Sequence, residues 1–82
     1  MDDDALDLGE AAAFILGERP GLYEDDVWTV LKELGDPPVR SADDMAVDLI
    51  TRLHPGIRAK DVKAVLAEWR EYARIAVEQD WD

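Results

Sequence analysis

The chain has 82 residues, with 20 acidic against 9 basic side chains and a formal net charge of −11. This excess of carboxylates argues against direct binding to nucleic acid, because such binding draws most of its affinity from neutralising phosphates. The absence of cysteine excludes disulfides, thiolate metal sites and cysteine nucleophiles, and makes the cytoplasm the expected location. There is no basic N-terminal leader and no run of about 18 apolar residues, so neither a signal peptide nor a membrane segment is expected.

The first half of the chain predicts two helices. Helix 1 is expected from about Ala5 to Gly17, because glycine is typical of a helix end. Helix 2 is expected to begin near Tyr23, after a Pro-Gly turn, and to end before the segment 35–38, whose two prolines cannot continue a helix. Apolar residues at helical spacing predict the buried faces. They are Leu8, Ala11, Ala12 and Ile15 in helix 1, and Val27, Val30, Leu31 and Leu34 in helix 2.

The second half predicts two more helices. Ser41 is expected to cap helix 3, which extends from Ala42 to about His54. Helix 4 follows a second Pro-Gly turn and is the longest, from about Arg58 to Gln79, so its end is expected to lie across the other helices. The predicted buried residues are Ala42, Met45, Ala46, Leu49, Ile50 and Leu53 in helix 3, and Val62, Val65, Leu66, Trp69, Tyr72, Ala73 and Ala76 in helix 4.

The two halves resemble each other in sequence. Aligning residues 11–34 with residues 46–69 gives nine identical pairs, whereas roughly two would be expected by chance in a window of this size. No segment alternates between apolar and polar residues, so strands are not expected. The sequence therefore predicts one all-α domain over residues 1–82. It is a four-helix bundle built from two repeated helical hairpins, approximately residues 5–35 and 41–80, with a pseudo-two-fold relation.

Helix 4 carries the chain's basic feature. Four cations fall within roughly 80° of one another around the helix: Lys60, Lys63, Arg70 and Arg74. One interpretation is that they pair with carboxylates of the same molecule or are solvated. The other is a contact surface for an acidic partner or a nucleic-acid backbone.

The three tryptophans differ in their expected roles. Trp69 lies on the apolar stripe of helix 4 and is expected in the core. Trp28 lies at the edge of the helix 2 stripe, where it either packs at the core boundary or anchors a partner, since tryptophan is enriched in binding hot spots. No function is predicted for Trp81.

Acidic residues cluster at predicted helix starts, where the helix dipole favours negative charge. Those outside the N-terminus are Glu24, Asp25, Asp26, Asp43 and Asp44. They do not follow the spacing of a calcium-binding hand, although a weak divalent-cation site remains a minor alternative. A second interpretation is an acidic surface for a basic protein.

No catalytic constellation is visible in the sequence. Ser41 has a capping context without a nearby base, and the single histidine, His54, follows a helix end. The two Pro-Gly turns resemble a helix-turn-helix in spacing, but helix 2 is acidic where a DNA-reading helix is basic. We therefore predict neither enzymatic activity nor a cofactor.

The composition and patterns favour a small acidic protein-protein interaction module, an adaptor or regulator. Its expected interface comprises Trp28 and the four cations of helix 4. The alternative is an acidic inhibitor, a nucleic-acid mimic or an immunity or antitoxin-like protein, that binds a basic partner through the acidic helix starts. A homodimer is a further hypothesis, because the predicted core is small.

Overall fold

Four α-helices make up most of the chain. The computed structural model describes residues 8–79, and its helices are α1 (Leu8–Glu18), α2 (Glu24–Leu34), α3 (Asp43–Leu53) and α4 (Ala59–Gln79), with a 3₁₀ turn at Arg40–Ala42. Residues 8–79 contain no strand, so the all-helical prediction is confirmed. In this range no helix combines the length and the apolar character that crossing a bilayer requires. The predicted start of helix 1 at Ala5, the acidic residues 2–4 and Trp81 lie outside the described residues.

All four helices contribute to one apolar core. Trp69 is its largest side chain and is completely buried. The indole N–H of Trp69 has no hydrogen-bond acceptor among the described residues, which is unusual because a buried donor normally finds a partner. The buried residues are Ala11, Ala12, Ile15, Val27, Val30, Leu31, Ala46, Val47, Ile50, Ile57, Val62, Val65, Leu66 and Trp69.

Helix ends match the predictions at some positions and differ at others. Gly35 ends α2 with a φ of 79°, a conformation open mainly to glycine, and its N–H donates to the carbonyl of Leu31. Gly17 was expected to end helix 1, but α1 continues through it to Glu18. The capping role predicted for Ser41 is wrong, because Ser41 lies within the 3₁₀ turn and α3 begins without a side-chain cap.

The first half (α1 and α2) and the second half (α3 and α4) can be compared by residue number. We call two residues counterparts when their numbers differ by 35. By this definition the bounds of α1 are the counterparts of those of α3, and α2 and α4 begin at counterparts. Each buried residue of the first half also has a buried counterpart in the second.

The loops between the helices of each half share the same hydrogen bonds. The N–H of Arg19 donates to Ile15 at 2.8 Å, and that of its counterpart His54 donates to Ile50 at 2.8 Å. The N–H of Leu22 donates to the carbonyl of Arg19 at 3.0 Å, as that of Ile57 does to His54 at 3.0 Å. The Pro-Gly loops therefore have the same backbone connections in both halves.

Two side-chain pairs cross between the halves in a reciprocal manner, an arginine–glutamate ion pair and a histidine–glutamate contact. Arg19 Nε lies 3.0 Å from Glu68 Oε2 of α4, and His54 Nε2 lies 3.0 Å from Glu33 Oε2 of α2. Arg19 and His54 are counterparts, and so are Glu33 and Glu68. Each loop thus contacts the second helix of the opposite half.

The halves differ in the length of their second helix. The last residue of α2 has a counterpart within α4, and α4 continues beyond it to form an extension. This extension packs on α1: the ring of Tyr72 lies 5.8 Å from that of Phe14 at an angle of 47°, and its hydroxyl donates to Glu10 Oε1 at 3.1 Å. The first turn of the extension therefore lies against α1.

The predicted buried face of helix 3 requires correction. Met45, Leu49 and Leu53 are 75%, 42% and 52% exposed, whereas Val47, which the predicted stripe omitted, is buried. The apolar residues of α3 occupy an arc of roughly 200°. Only the part of that arc with Ala46, Val47 and Ile50 faces the core, because no other described helix covers the rest.

Candidate interaction surface

Arg70, one of the four predicted interface cations, is engaged within the molecule. Its guanidinium donates to both carboxylate oxygens of Asp43, at 2.6 and 2.8 Å, and to the backbone carbonyl of Pro38 at 3.1 Å. Both side chains of this pair are about three-quarters buried. Arg70 therefore fastens the segment between the halves and the first turn of α3 to α4.

This pairing changes the titration of both groups. The two-point hydrogen bond from Arg70 lowers the pKa of Asp43, against an opposing effect of desolvation, with smaller contributions from the positive charges of Arg70, Arg40 and Lys63. The hydrogen bond to Asp43 likewise raises the pKa of Arg70. Both groups are therefore ionised at neutral pH, and their ion pair holds the first turn of α3 against α4.

Arg74 is also paired, but on the surface of its own helix. It forms ion pairs with Glu71 one turn earlier and with Glu78 one turn later, the latter at 2.9 Å. The hydrogen bond with Glu71, followed by the negative charges of Glu71 and Glu78, raises the pKa of Arg74. The carboxylates neutralise this position, so the basic stripe does not present four free cations.

Lys60 and Lys63 are the remaining members of the stripe. Both are exposed, and neither forms a hydrogen bond or ion pair with any residue in the range 8–79. They lie on the first two turns of α4, at the end opposite to the extension. The free positive charge of the predicted surface is therefore confined to this end of the helix.

Trp28 lies at the boundary of the core, partly buried and packed against the buried residues. Lys32, one turn further along α2, places its ammonium 5.5 Å from the centre of the indole ring, within the range of a cation–π contact. No hydrogen bond, ion pair or ring contact in residues 8–79 joins Trp28 to the four α4 cations. The cation in contact with Trp28 is therefore Lys32 of α2.

The predicted acidic surface is divided as well. Glu24 and Asp25 are exposed and Asp26 is partly buried in the first turn of α2, and in the described part of the chain none of the three carboxylates has an ion-pair partner. Asp43 is held by Arg70, whereas its neighbour Asp44 is exposed. Among the described residues, carboxylates without an ion-pair partner thus remain at two places: the first turn of α2, and Asp44 in the first turn of α3.

The exposed large apolar side chains that no prediction assigned to a surface include Tyr23, Val39 and Val77 and, on α3, Met45, Leu49 and Leu53. We call these last three the α3 row. They follow one another at intervals of four residues and occupy adjacent positions along α3. Their helical spacing had indicated burial. The sequence signal that could have identified them is the width of the apolar arc, which exceeds what one neighbouring helix covers.

Acidic residues flank the α3 row on its solvent side. Asp48 and Asp44 lie roughly 60° and 100° around the helix from Met45. Asp48 pairs with Arg52 near the C-terminal end, whereas Asp44 has no ion-pair or hydrogen-bond partner among residues 8–79. The row is thus most acidic beside its N-terminal end.

The described residues provide no arrangement for metal-dependent chemistry. Within residues 8–79, no three histidine, aspartate or glutamate side chains converge to hold a metal ion. The single histidine, His54, is engaged with Glu33. Comparison of the whole chain with family models, with curated proteins and with solved structures finds no match in any of the three.

Proposed function

We propose that this chain is a small, non-catalytic protein-interaction module whose apolar contact surface is the α3 row. The observation that supports the proposal is the exposure of three large apolar side chains at intervals of four residues on one face of α3. Contiguous exposed apolar residues with a polar rim are typical of protein-protein contact sites. A cytoplasmic location, expected from the cysteine-free sequence, forms part of the proposal.

The geometry changes which of the originally predicted residues take part. Trp28, Lys60 and Lys63 stay in the proposed interface as a second contact area, because each retains exposed surface. Arg70 does not, since its guanidinium already donates to both carboxylate oxygens of Asp43 and to the carbonyl of Pro38. Arg74 contributes little net charge, because two glutamates accompany it.

An acidic inhibitor of a basic protein is the second candidate function. Glu24 and Asp25 support it, because their carboxylates are exposed at the start of α2 and have no ion-pair partner in the described residues. The net charge of −11 would also accelerate encounter with a positively charged protein. Asp43 is not available for this role while Arg70 holds it.

We also infer that the fold is a four-helix bundle made of two duplicated hairpins with a pseudo-two-fold relation. Three observations support this inference: the counterpart bounds of α1 and α3, the shared loop hydrogen bonds, and the reciprocal pairs Arg19–Glu68 and His54–Glu33. Duplication accounts for all three, because each half then brings the same buried stripe and the same loop to a shared core.

The experiment is a pull-down from lysate of the source organism, treated with nuclease and read by mass spectrometry. Three double variants are compared with the unmodified chain: Met45→Gln/Leu49→Gln for the α3 row, Lys60→Glu/Lys63→Glu for the basic end of α4, and Glu24→Gln/Asp25→Asn for the acidic start of α2. All six side chains are exposed, so circular dichroism and thermal unfolding should show that the variants remain folded.

The pattern of loss identifies the surface. A partner lost only with Met45→Gln/Leu49→Gln supports the proposed module. A basic partner lost only with Glu24→Gln/Asp25→Asn supports the inhibitor instead. A protein captured equally by all four chains would contradict both proposals, and sedimentation of the unmodified chain would show whether it forms a homodimer.

A further inference from the structure

One counterpart of the α3 row packs against a further helix. The counterparts of Met45 and Leu49 are Glu10 and Phe14, and both of these contact Tyr72 of the α4 extension. Phe14 is partly buried, whereas Glu10 and the counterpart of Leu53, Glu18, remain exposed. On α3 the counterpart of Phe14, Leu49, is 42% exposed.

The difference originates at the end of α2. The counterpart of Tyr72 is Pro37, which follows the C-terminus of α2 at Leu34. The positive φ of Gly35 and the two prolines after it turn the backbone away from the helical path. No extension of α2 therefore lies on the α3 row in the way that the α4 extension lies on α1.

Charge favours a basic occupant over a second copy of the chain. Asp44 and Asp48 flank the row, and Asp44 has no partner within the described residues. Two copies meeting through this face would each carry a net charge of −11. Like charges juxtaposed at an interface oppose association, whereas lysine or arginine beside Asp44 would complement it.

We propose that the α3 row binds an amphipathic helix of a basic partner protein, placed where a continuation of α2 would lie. This inference rests on the proposed function, the binding of a protein through the α3 row. The bound helix presents a large apolar or aromatic side chain to Leu49, as Tyr72 does to Phe14, and its cations face Asp44. Near Leu53 the requirement for positive charge is weaker, because Arg52 lies on that flank and pairs with Asp48.

The test uses three fluorescently labelled peptides of about 18 residues, long enough to span α3 as a helix. The first is amphipathic, with leucine and one tyrosine on one face and lysine on the other. The second has the same composition in scrambled order, and the third replaces every lysine of the first with glutamate. Fluorescence anisotropy with the full chain should show that the first binds at least tenfold more tightly than either control.

Matched variants locate the binding. Met45→Gln/Leu49→Gln should weaken binding of the first peptide at least tenfold, because it removes apolar surface from the contact. Val77→Gln, which changes an equally exposed apolar residue on α4, should alter the affinity less than twofold. Asp44→Asn should weaken binding a few-fold and reduce its dependence on salt, whereas Glu24→Gln at the start of α2 should not.

Three results would overturn the proposal. Equal binding of the scrambled peptide would mean that net charge alone attracts it. Equal losses with Val77→Gln and Met45→Gln/Leu49→Gln would place the contact elsewhere. A dimer in sedimentation that Met45→Gln/Leu49→Gln converts to a monomer would show that a second copy covers the row.

The pull-down separates failure of this inference from failure of the proposed function. If the peptides do not bind but a lysate protein is still lost with Met45→Gln/Leu49→Gln, the row is an interface for a partner of different chemistry. The basic-helix proposal is then wrong while the interaction module stands. If the peptide binds at the row but no lysate protein depends on it, the proposed function fails.

Discussion

The two halves of the molecule share their helix starts and the backbone hydrogen bonds of their loops, and each buried residue of the first half has a buried counterpart. Only in the first half does a further helix pack on the outer face, at Phe14. The difference depends on where the second helix stops: α2 ends at Leu34, whereas α4 continues to Gln79. Glycine and proline end α2, and Arg70 follows Trp69 at the position where Gly35 follows Leu34. The length of the second helix thus determines whether a side chain on the neighbouring helix has a ring packed on it, as Phe14 has, or is exposed, as Leu49 is.

The largest expected effect concerns the last shared position, Trp69 and its counterpart Leu34. Trp69 is fully buried and Leu34 only partly, so Trp69→Ala should destabilise the fold by about 3–5 kcal/mol and Leu34→Ala by about 1–2 kcal/mol. Urea denaturation followed by circular dichroism measures both. Similar losses would mean that the two halves contribute equally to the core despite the extension.

Trp69→Phe sharpens this prediction. Phenylalanine retains much of the volume, and the substitution also removes an indole N–H that lacks an acceptor among the described residues. We therefore expect a loss well below that of Trp69→Ala. A loss as large as that of the alanine variant would show that the indole N–H is satisfied in solution.

Sequence patterns predicted the helices and most of the core because these depend on local features. The periodicity of Val27, Val30 and Leu31 and the glycine and prolines after Leu34 act within a few residues of the chain. The orientation of α3 could not be read in the same way. Its apolar arc admits several buried faces, and the one selected depends on the helices packed against it.

The basic stripe illustrates the same limit at the candidate site. Helical geometry places Arg70 and Lys63 on one side of α4, but it does not reveal that Asp43, 27 residues earlier, holds Arg70. Sequence separation gives no signal for such a pair. The charges available to a partner were therefore overestimated from the sequence, and the exposed α3 row was missed.

The second prediction concerns the Arg70–Asp43 pair. The first half cannot form an equivalent pair, because the counterparts of these residues are Gly35 and Leu8. Arg70→Ala should destabilise the fold by about 1.5–3 kcal/mol, the range for hydrogen bonds to charged groups. The matched control is Arg74→Ala, which removes a cation from the exposed face of the same helix and should leave the unfolding midpoint nearly unchanged. Equal effects of the two variants would contradict the anchoring role of Arg70.

The pH dependence of the same pair has a defined sign. Arg70 lowers the pKa of Asp43 in the folded state below the ordinary value of 3.8, so the folded state is stabilised at pH values above 3.8. That stabilisation is lost as the pH falls through the lowered pKa. The unfolding free energies of the unmodified chain and of Arg70→Ala should therefore differ at pH 6 and converge towards about pH 2. A difference that is constant across this range would exclude the ion pair as its cause.

The third prediction tests the covered face directly. Phe14→Ala, under Tyr72, should cost about 1.5 kcal/mol, from lost burial and the lost ring contact. Leu49→Ala, at the counterpart position, should change stability by less than about 1 kcal/mol, because Leu49 is 42% exposed and has no such ring contact. Thermal or urea unfolding compares the two. A large loss with Leu49→Ala would indicate that the α3 row is covered in solution, for example by a second copy.

The smallest expected effect concerns the Arg19–Glu68 ion pair, one of the two reciprocal pairs. A double-mutant cycle with Arg19→Ala and Glu68→Ala should give a coupling of about 0.2–1 kcal/mol, because Arg19 is half exposed and water screens the pair. The coupling should fall further in about 1 M salt, where the screening length is near 3 Å. A coupling free energy this small would mean that the apolar core, and not this ion pair, holds the two halves together. A coupling well above this range would instead mean that the loops hold the two halves together, and the difference in helix length would then matter less than the shared loop positions.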